Sequence, residues 1–103
     1  MVIRPYAFAY NKETATTNSY QNSDETFASV NISEKAKNEF DQFVDLLRRN
    51  HIDVIQFEDN SEFYTPDSIF PNNWISTHSD GSIFLYPMFA SNRRLERRLD
   101  IVN

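Results

Sequence analysis

The chain has no cysteine among its 103 residues. That removes disulfides, thiolate metal sites and a cysteine nucleophile from this stretch of sequence. It has one glycine, far below the roughly 7% that proteins usually carry. A Rossmann fingerprint and a P-loop both need several glycines at fixed offsets. Nucleotide binding by either route is therefore excluded. An excess of positive charge is also missing. The formal net charge is −5, which argues against general nucleic-acid binding, a function that usually needs a basic surface. No apolar run approaches the roughly 18 residues that argue for a membrane span. Met-Val-Ile-Arg-Pro-Tyr at the start lacks a basic segment followed by an apolar core, so no signal peptide is expected. These absences point to a cytoplasmic protein without membrane partners. What remains is 40% apolar and 15% aromatic residues, values that suit a folded globular domain.

The chain is organised around residues 65–98. Within Pro66–Trp74 lie one carboxylate (Asp67), two carboxamides (Asn72, Asn73) and two aromatics (Phe70, Trp74). Pro66 and Pro71 fix φ and disfavour helix around them. The expectation is a rigid, extended, polar-lined segment that leads into a strand.

The flanking sequence reads as an α/β arrangement. Val2 to Tyr10 is apolar and aromatic and predicts a first strand. Residues 11–24 are rich in Asn, Thr, Ser and Gln, the composition of a surface loop. Asn18 and Gln21 are its candidate contact residues if it acts as a lid. Residues 25–32 join loop to helix. Ser33 to Asn50 predicts a helix with Ser33 as N-cap and Ala36, Phe40, Phe43, Val44 and Leu47 on one apolar face. His51 to Phe57 alternates like a strand. Asn73 to Thr77 and Ser82 to Pro87 flank His78-Ser79-Asp80-Gly81, a strong hairpin signal. His78 then reads as a solvated turn residue and His51 as a helix-exit residue. Asn92 to Val102 places Leu95, Leu99 and Val102 on one helical stripe. No stop signal follows that stripe, so the expectation is a partial domain with more sequence beyond it.

Pro66-Asp67-Ser68-Ile69-Phe70-Pro71-Asn72-Asn73-Trp74, followed by Leu85-Tyr86-Pro87-Met88 and Asn92-Arg93-Arg94, resembles the N-terminal part of the amidinotransferase-related hydrolases. These are guanidino- and ureido-modifying enzymes of the pentein superfamily. The citrulline-utilisation type is most similar, and it is related to arginine deiminase and dimethylarginine dimethylaminohydrolase. The resemblance starts at Arg4-Pro5 and Phe8 and runs through nearly the whole chain. It implies that residues 1–103 are the N-terminal third of a catalytic domain, about one to two modules of a five-bladed α/β propeller. It implies no cofactor and no metal, and a small guanidino or ureido amino acid as partner. Such enzymes attack the guanidino or ureido carbon with a cysteine thiolate, aided by a histidine and an acidic partner. Neither His51 nor His78 matches the catalytic histidine. The chain alone is therefore expected to recognise substrate without turning it over.

The candidate substrate-binding residues are Asp67, Phe70, Asn72, Asn73 and Arg93. A guanidinium is all donor, and its natural receptor is a bidentate carboxylate. A ureido group adds a carbonyl acceptor, and Asn offers both a donor and an acceptor. The related dimethylarginine hydrolases carry an acidic pair where Asn72 and Asn73 stand. That departure favours a neutral ureido substrate such as citrulline. Phe70 could wall the pocket or join the core, and both stay open. Trp74 reads as packing. Arg93 could clamp a substrate α-carboxylate or belong to a solvated face with Arg97 and Arg98. The alternative to an enzyme fragment is a non-catalytic α/β binding module, with the C-terminal stripe serving a homo-oligomer.

Overall fold

The computed structural model describes residues 1–19, 29–60 and 62–103. Gln21 and residues 25–28 of the junction lie outside the described residues. The first strand, β1, is Val2–Arg4, much shorter than the apolar run to Tyr10 suggested. Pro5 follows it directly and has no N–H to continue a ladder. β1 pairs in parallel with β2, Gln56–Glu58, with Ile3 opposite Phe57. A parallel pair needs a long crossover, and helix α1, Ser29–Arg49, lies within it. The chain is thus a mixed α/β fold, as the alternation of patterns predicted.

Helix α1 begins at Ser29 rather than at Ser33. Ser33 does not cap it. Its hydroxyl instead donates to the Tyr6 carbonyl at 3.1 Å, which ties the helix to the segment after β1. Of the expected apolar face, Phe40 and Val44 are buried, whereas Phe43 is exposed. The helix ends in paired bonds, Ile52 N–H to the Leu47 carbonyl and His51 N–H to the Arg48 carbonyl. That is the Schellman pattern, which wants a left-handed residue after the helix. His51 fills that place with φ 60°.

A two-stranded hairpin follows, β3 (Ile75–Thr77) against β4 (Ile83–Leu85). The Gly81 N–H bonds the His78 carbonyl, and the His78 N–H bonds the Ser82 carbonyl. Gly81 sits at φ 85°, the left-handed position that closes such a three-residue hairpin loop. Asp80-Gly81 thus closes the hairpin that its sequence signals. β4 is exposed along its whole length.

Two expectations give way. The Pro66–Trp74 segment is not extended. It is a string of tight turns, with Ser68 N–H on Thr65, Phe70 N–H on Asp67 and Asn73 N–H on Phe70. It ends in a 3-10 turn at Pro71–Asn73. Pro71 does not forbid that turn, because its fixed φ suits a first helical position. The single C-terminal helix is also replaced by two short ones, α2 (Ser91–Arg94) and α3 (Leu99–Val102). The core explains the break. It consists of Ile3, Trp74 and Ile75, with Phe57, Met88, Ile101 and Val102 packed against it. The chain must bend between α2 and α3 to bring Ile101 and Val102 there. Leu95 and Leu99 are left exposed.

Candidate substrate-recognition site

The tight turns bury residues 65–68, including the carboxylate of Asp67. A buried carboxylate is costly unless it is paired and hydrogen-bonded. Asp67 has both kinds of partner, and both act on Oδ2. Asn11 donates to it at 2.7 Å, and Arg93 Nε lies 3.8 Å away. Among the described residues, Oδ1 takes no hydrogen bond. The Asp67 side chain keeps 13% of its surface open.

Arg93 comes from α2 and is the hub of the cluster. Its Nε donates to both Glu96 oxygens, at 3.1 and 3.3 Å, and its Nη2 donates to Glu96 Oε2 at 3.1 Å. Its Nη1 donates to Asn73 Oδ1 at 2.9 Å. Arg93 thus joins Asp67 to Asn73. Guanidinium cannot accept a hydrogen bond, so the Asn73 oxygen must face Arg93. The Asn73 amide N–H₂ is then turned away, with no partner among the described residues. Asn73 lies at the surface, where a ligand acceptor can reach that group.

Glu96 has a fully buried side chain. Burial pushes its carboxyl above the ordinary value; the bonds and charge of Arg93 pull it down, and Asp67 and Asp59 push it up again. One guanidinium therefore serves two buried carboxylates, Asp67 and Glu96.

The rest of the scaffold comes from far along the chain. Asn11 is 1% exposed. It exchanges amide bonds with Asn92, at 3.2 Å from Asn11 Nδ2 and 2.8 Å from Asn92 Nδ2. The Asn92 backbone N–H donates to Glu13 at 3.0 Å. These contacts seat the start of the 11–19 segment on the α2 turn. Thr65 and Ser68 hydroxyls both donate to Asp59, which holds the near side of the turn string.

The structure brings together Asp67, Asn73 and Arg93. It does not add Phe70 or Asn72 to that cluster. Phe70 lines an apolar groove of about 340 Å³ against α1, with Phe8, Phe40 and Phe43. Asn72 is exposed on the 3-10 turn. Three members were not foreseen: Asn11, Asn92 and Glu96. The Arg93 and Glu96 spacing was a readable ion-pair signal. Nothing local marks Asn11, whose partners lie 56 and 81 positions away. Arg4, at the start of the resemblance, makes a two-pronged contact with Asp41 of α1, at 2.7 and 2.8 Å. It fastens β1 to the helix. Arg94 donates to the backbone carbonyls of Met88 and Phe89. Asn18 is exposed.

Among the described residues no helix is long and apolar enough to cross a membrane, and no acidic or histidine cluster could hold a metal ion. Comparison with curated proteins and comparison with solved structures each return no match. Residues 4–103 match the family described as N,N dimethylarginine dimethylhydrolase, eukaryotic. The match takes in the turn string, Asn11 and the whole Arg93 cluster, and on that breadth the chain belongs to this family of the guanidino-modifying pentein hydrolases.

Proposed function

We propose that this chain is the substrate-recognition part of a hydrolase that cleaves a C–N bond in a ureido or guanidino amino acid, with citrulline as the preferred class. One observation carries the reading. Arg93 fixes the Asn73 amide so that its N–H₂ points outward, near a carboxylate with one uncommitted oxygen. The site therefore offers one acceptor group and one donor group. A ureido group presents N–H donors and one carbonyl, and it can satisfy both. A guanidinium has no acceptor and would leave the Asn73 donor facing other donors. At this exposed amide the guanidinium forgoes a bond worth about 0.5–1.5 kcal/mol.

The chain supplies no thiolate, since it contains no cysteine. In this reading the nucleophile and its histidine come from sequence beyond residues 1–103, and the chain alone releases no ammonia or amine. The exposed row Ile83, Phe84, Leu85 and Tyr86, with Phe89 beyond it, supports a place within a larger propeller. Contiguous apolar surface of this kind is normally covered in a folded protein.

The test is a titration of the 103-residue chain with L-citrulline and with L-arginine, followed by ¹H–¹⁵N NMR. Citrulline should bind in the millimolar range or tighter, should move the Asn73 side-chain amide, and should bind more tightly than arginine. Loss of that amide shift in Asn73→Ala would place the contact. No shift with either ligand in the folded chain would overturn the reading.

A further inference from the structure

We propose that the cavity between the end of β2 and the α2–α3 bend is a second ligand site, one that takes a small α-amino acid with a cationic side chain. It uses none of Asp67, Asn73 and Arg93, so it stands apart from the recognition reading above.

The cavity holds about 330 Å³, at the small end of the range for ligand pockets. Asp59 and Glu62 reach it from the segment after β2, and Arg97 reaches it from the bend between α2 and α3. Ile3, Phe63 and Leu95 give it an apolar wall. Asp59 is firmly placed. Its N–H donates to the Arg4 carbonyl at 3.0 Å, and the Thr65 and Ser68 hydroxyls donate to its carboxylate at 3.1 and 2.7 Å.

The charges around the cavity do not cancel. The carboxylates of Asp59, Glu62, Glu96 and Asp100 line it, against the guanidiniums of Arg97 and Arg98. Two of the carboxylates are matched: Asp100 by Arg98 at 2.6 Å and Glu96 by Arg93 at 3.1 Å. Among the described residues, Asp59 and Glu62 have no cation at ion-pair distance, and Arg97 has no anion. The charge of Asp59 reaches Glu96, whose carboxyl it helps to push up, as a carboxylate without a counter-ion does. The remainder is two anions and one cation beside an apolar wall. A basic α-amino acid is its complement, with one carboxylate and two ammonium groups. The α-carboxylate pairs with Arg97, whose planar fork can take both oxygens. The ammonium groups pair with Asp59 and Glu62. The methylene chain lies along Phe63 and Leu95, as lysine stems lie on apolar surface. A neutral amino acid leaves one carboxylate unmatched, and a simple diamine leaves Arg97 unmatched.

The experiment titrates the 103-residue chain with L-lysine, L-norleucine and cadaverine at low salt, where such contacts are least screened, and follows ¹H–¹⁵N NMR. Norleucine lacks the side-chain ammonium and cadaverine lacks the carboxylate. L-Lysine should bind in the millimolar range and move the amides of Asn60, Glu62, Phe63 and Arg97. It should bind roughly fivefold more tightly than either of the other two, the upper worth of one exposed ion pair. Arg97→Gln should bring L-lysine down to the cadaverine level and leave cadaverine unchanged. Glu62→Gln should weaken L-lysine by a similar factor. Both side chains are exposed and carry no internal contact among the described residues, so neither change threatens the fold. Absence of any shift with L-lysine overturns the proposal. So does an Arg97→Gln variant that weakens cadaverine as much as L-lysine, because the carboxylate contact is then missing. Shifts confined to the Asn73 side-chain amide overturn it too, since L-lysine would then occupy the recognition cluster instead. The recognition reading is decided separately, by L-citrulline at Asn73, and either reading can fail while the other stands.

Discussion

Arg93 should be the residue whose loss the fold tolerates least, and the structure says by how much. Its side chain is 12% exposed and stands between Glu96, at 0%, and Asp67, at 13%. Arg93→Met keeps the bulk and removes the charge. It leaves two carboxylates close together in a dry setting. Breaking a buried pair by removing one partner typically costs about 3–5 kcal/mol. A domain of this size has about 5–15 kcal/mol in hand, so the loss is a large share of the whole. Glu96→Gln should cost far less, about 1 kcal/mol. The amide still accepts from Arg93, Arg93 still has Asn73 and Asp67, and no bare charge is left behind. The double variant should then be more stable than Arg93→Met alone, because the uncompensated Glu96 carboxylate is gone.

Acidity gives an independent check. Glu96 has a carboxyl raised above its ordinary value near 4.5, chiefly by burial. A raised acid binds its proton more readily in the folded than in the unfolded chain. Its contribution is therefore most favourable below pH 4.5 and is lost as pH climbs through the folded value. In Arg93→Met the downward pull of the guanidinium disappears, so the losing window extends to higher pH. In the double variant the window vanishes. The assay is urea unfolding followed by Trp74 fluorescence. Trp74 is the only tryptophan and is fully buried, so it reports the core directly. Equal stability of Arg93→Met and the double variant near neutral pH, with parallel pH profiles, would refute the argument.

Two further variants follow from local geometry. His51→Gly should raise the melting temperature by about 4 °C, since a side chain in the left-handed region costs about 1 kcal/mol and glycine avoids that; a lower melting temperature would show that the imidazole has a stabilising contact. Asp41→Asn should cost under about 1 kcal/mol near neutral pH, because the pair with Arg4 is half open to solvent and salt screens it. The Arg4 hydrogen bond lowers the Asp41 carboxyl below its ordinary value near 3.8. Its stabilisation is thus present above that value and fades as pH falls through the lower folded one. Wild type and Asp41→Asn should converge in acid, and thermal melts across pH would reveal it if they do not.

Much of the fold was legible because its signals are local. The α1 periodicity, the Asp-Gly hairpin and the alternation of helix and strand patterns each depend on residues within a few positions. The ends of elements were less legible. Ser33 has every credential of an N-cap, yet the helix starts earlier and Ser33 bonds Tyr6. Pro71 reads as a helix breaker and instead opens a 3-10 turn. The Leu95, Leu99 and Val102 stripe has sound helical spacing. The core competes with it, since burying Ile101 and Val102 outweighs one continuous helix.

The site divides along the same line. Asp67, Asn73 and Arg93 could be singled out because their chemistry is unusual in a short span, and the structure does join them. What sequence could not supply is the state in which each arrives. Arg93 does not come as a free clamp, for Glu96 and Asn73 take most of its donors. Asp67 does not come as an open carboxylate, for Asn11 holds one oxygen. Asn73 does not come as a carboxamide of either sense, for Arg93 fixes which end faces out. Each constraint is a contact across 20 or more positions, save the one to Glu96. A residue list gives the donors and acceptors that a site owns. Recognition depends on those left over once the protein has satisfied its own buried groups. Here the remainder is one carboxylate oxygen and one amide N–H₂, and it is on that remainder, rather than on the full inventory, that the proposed preference for a ureido group rests.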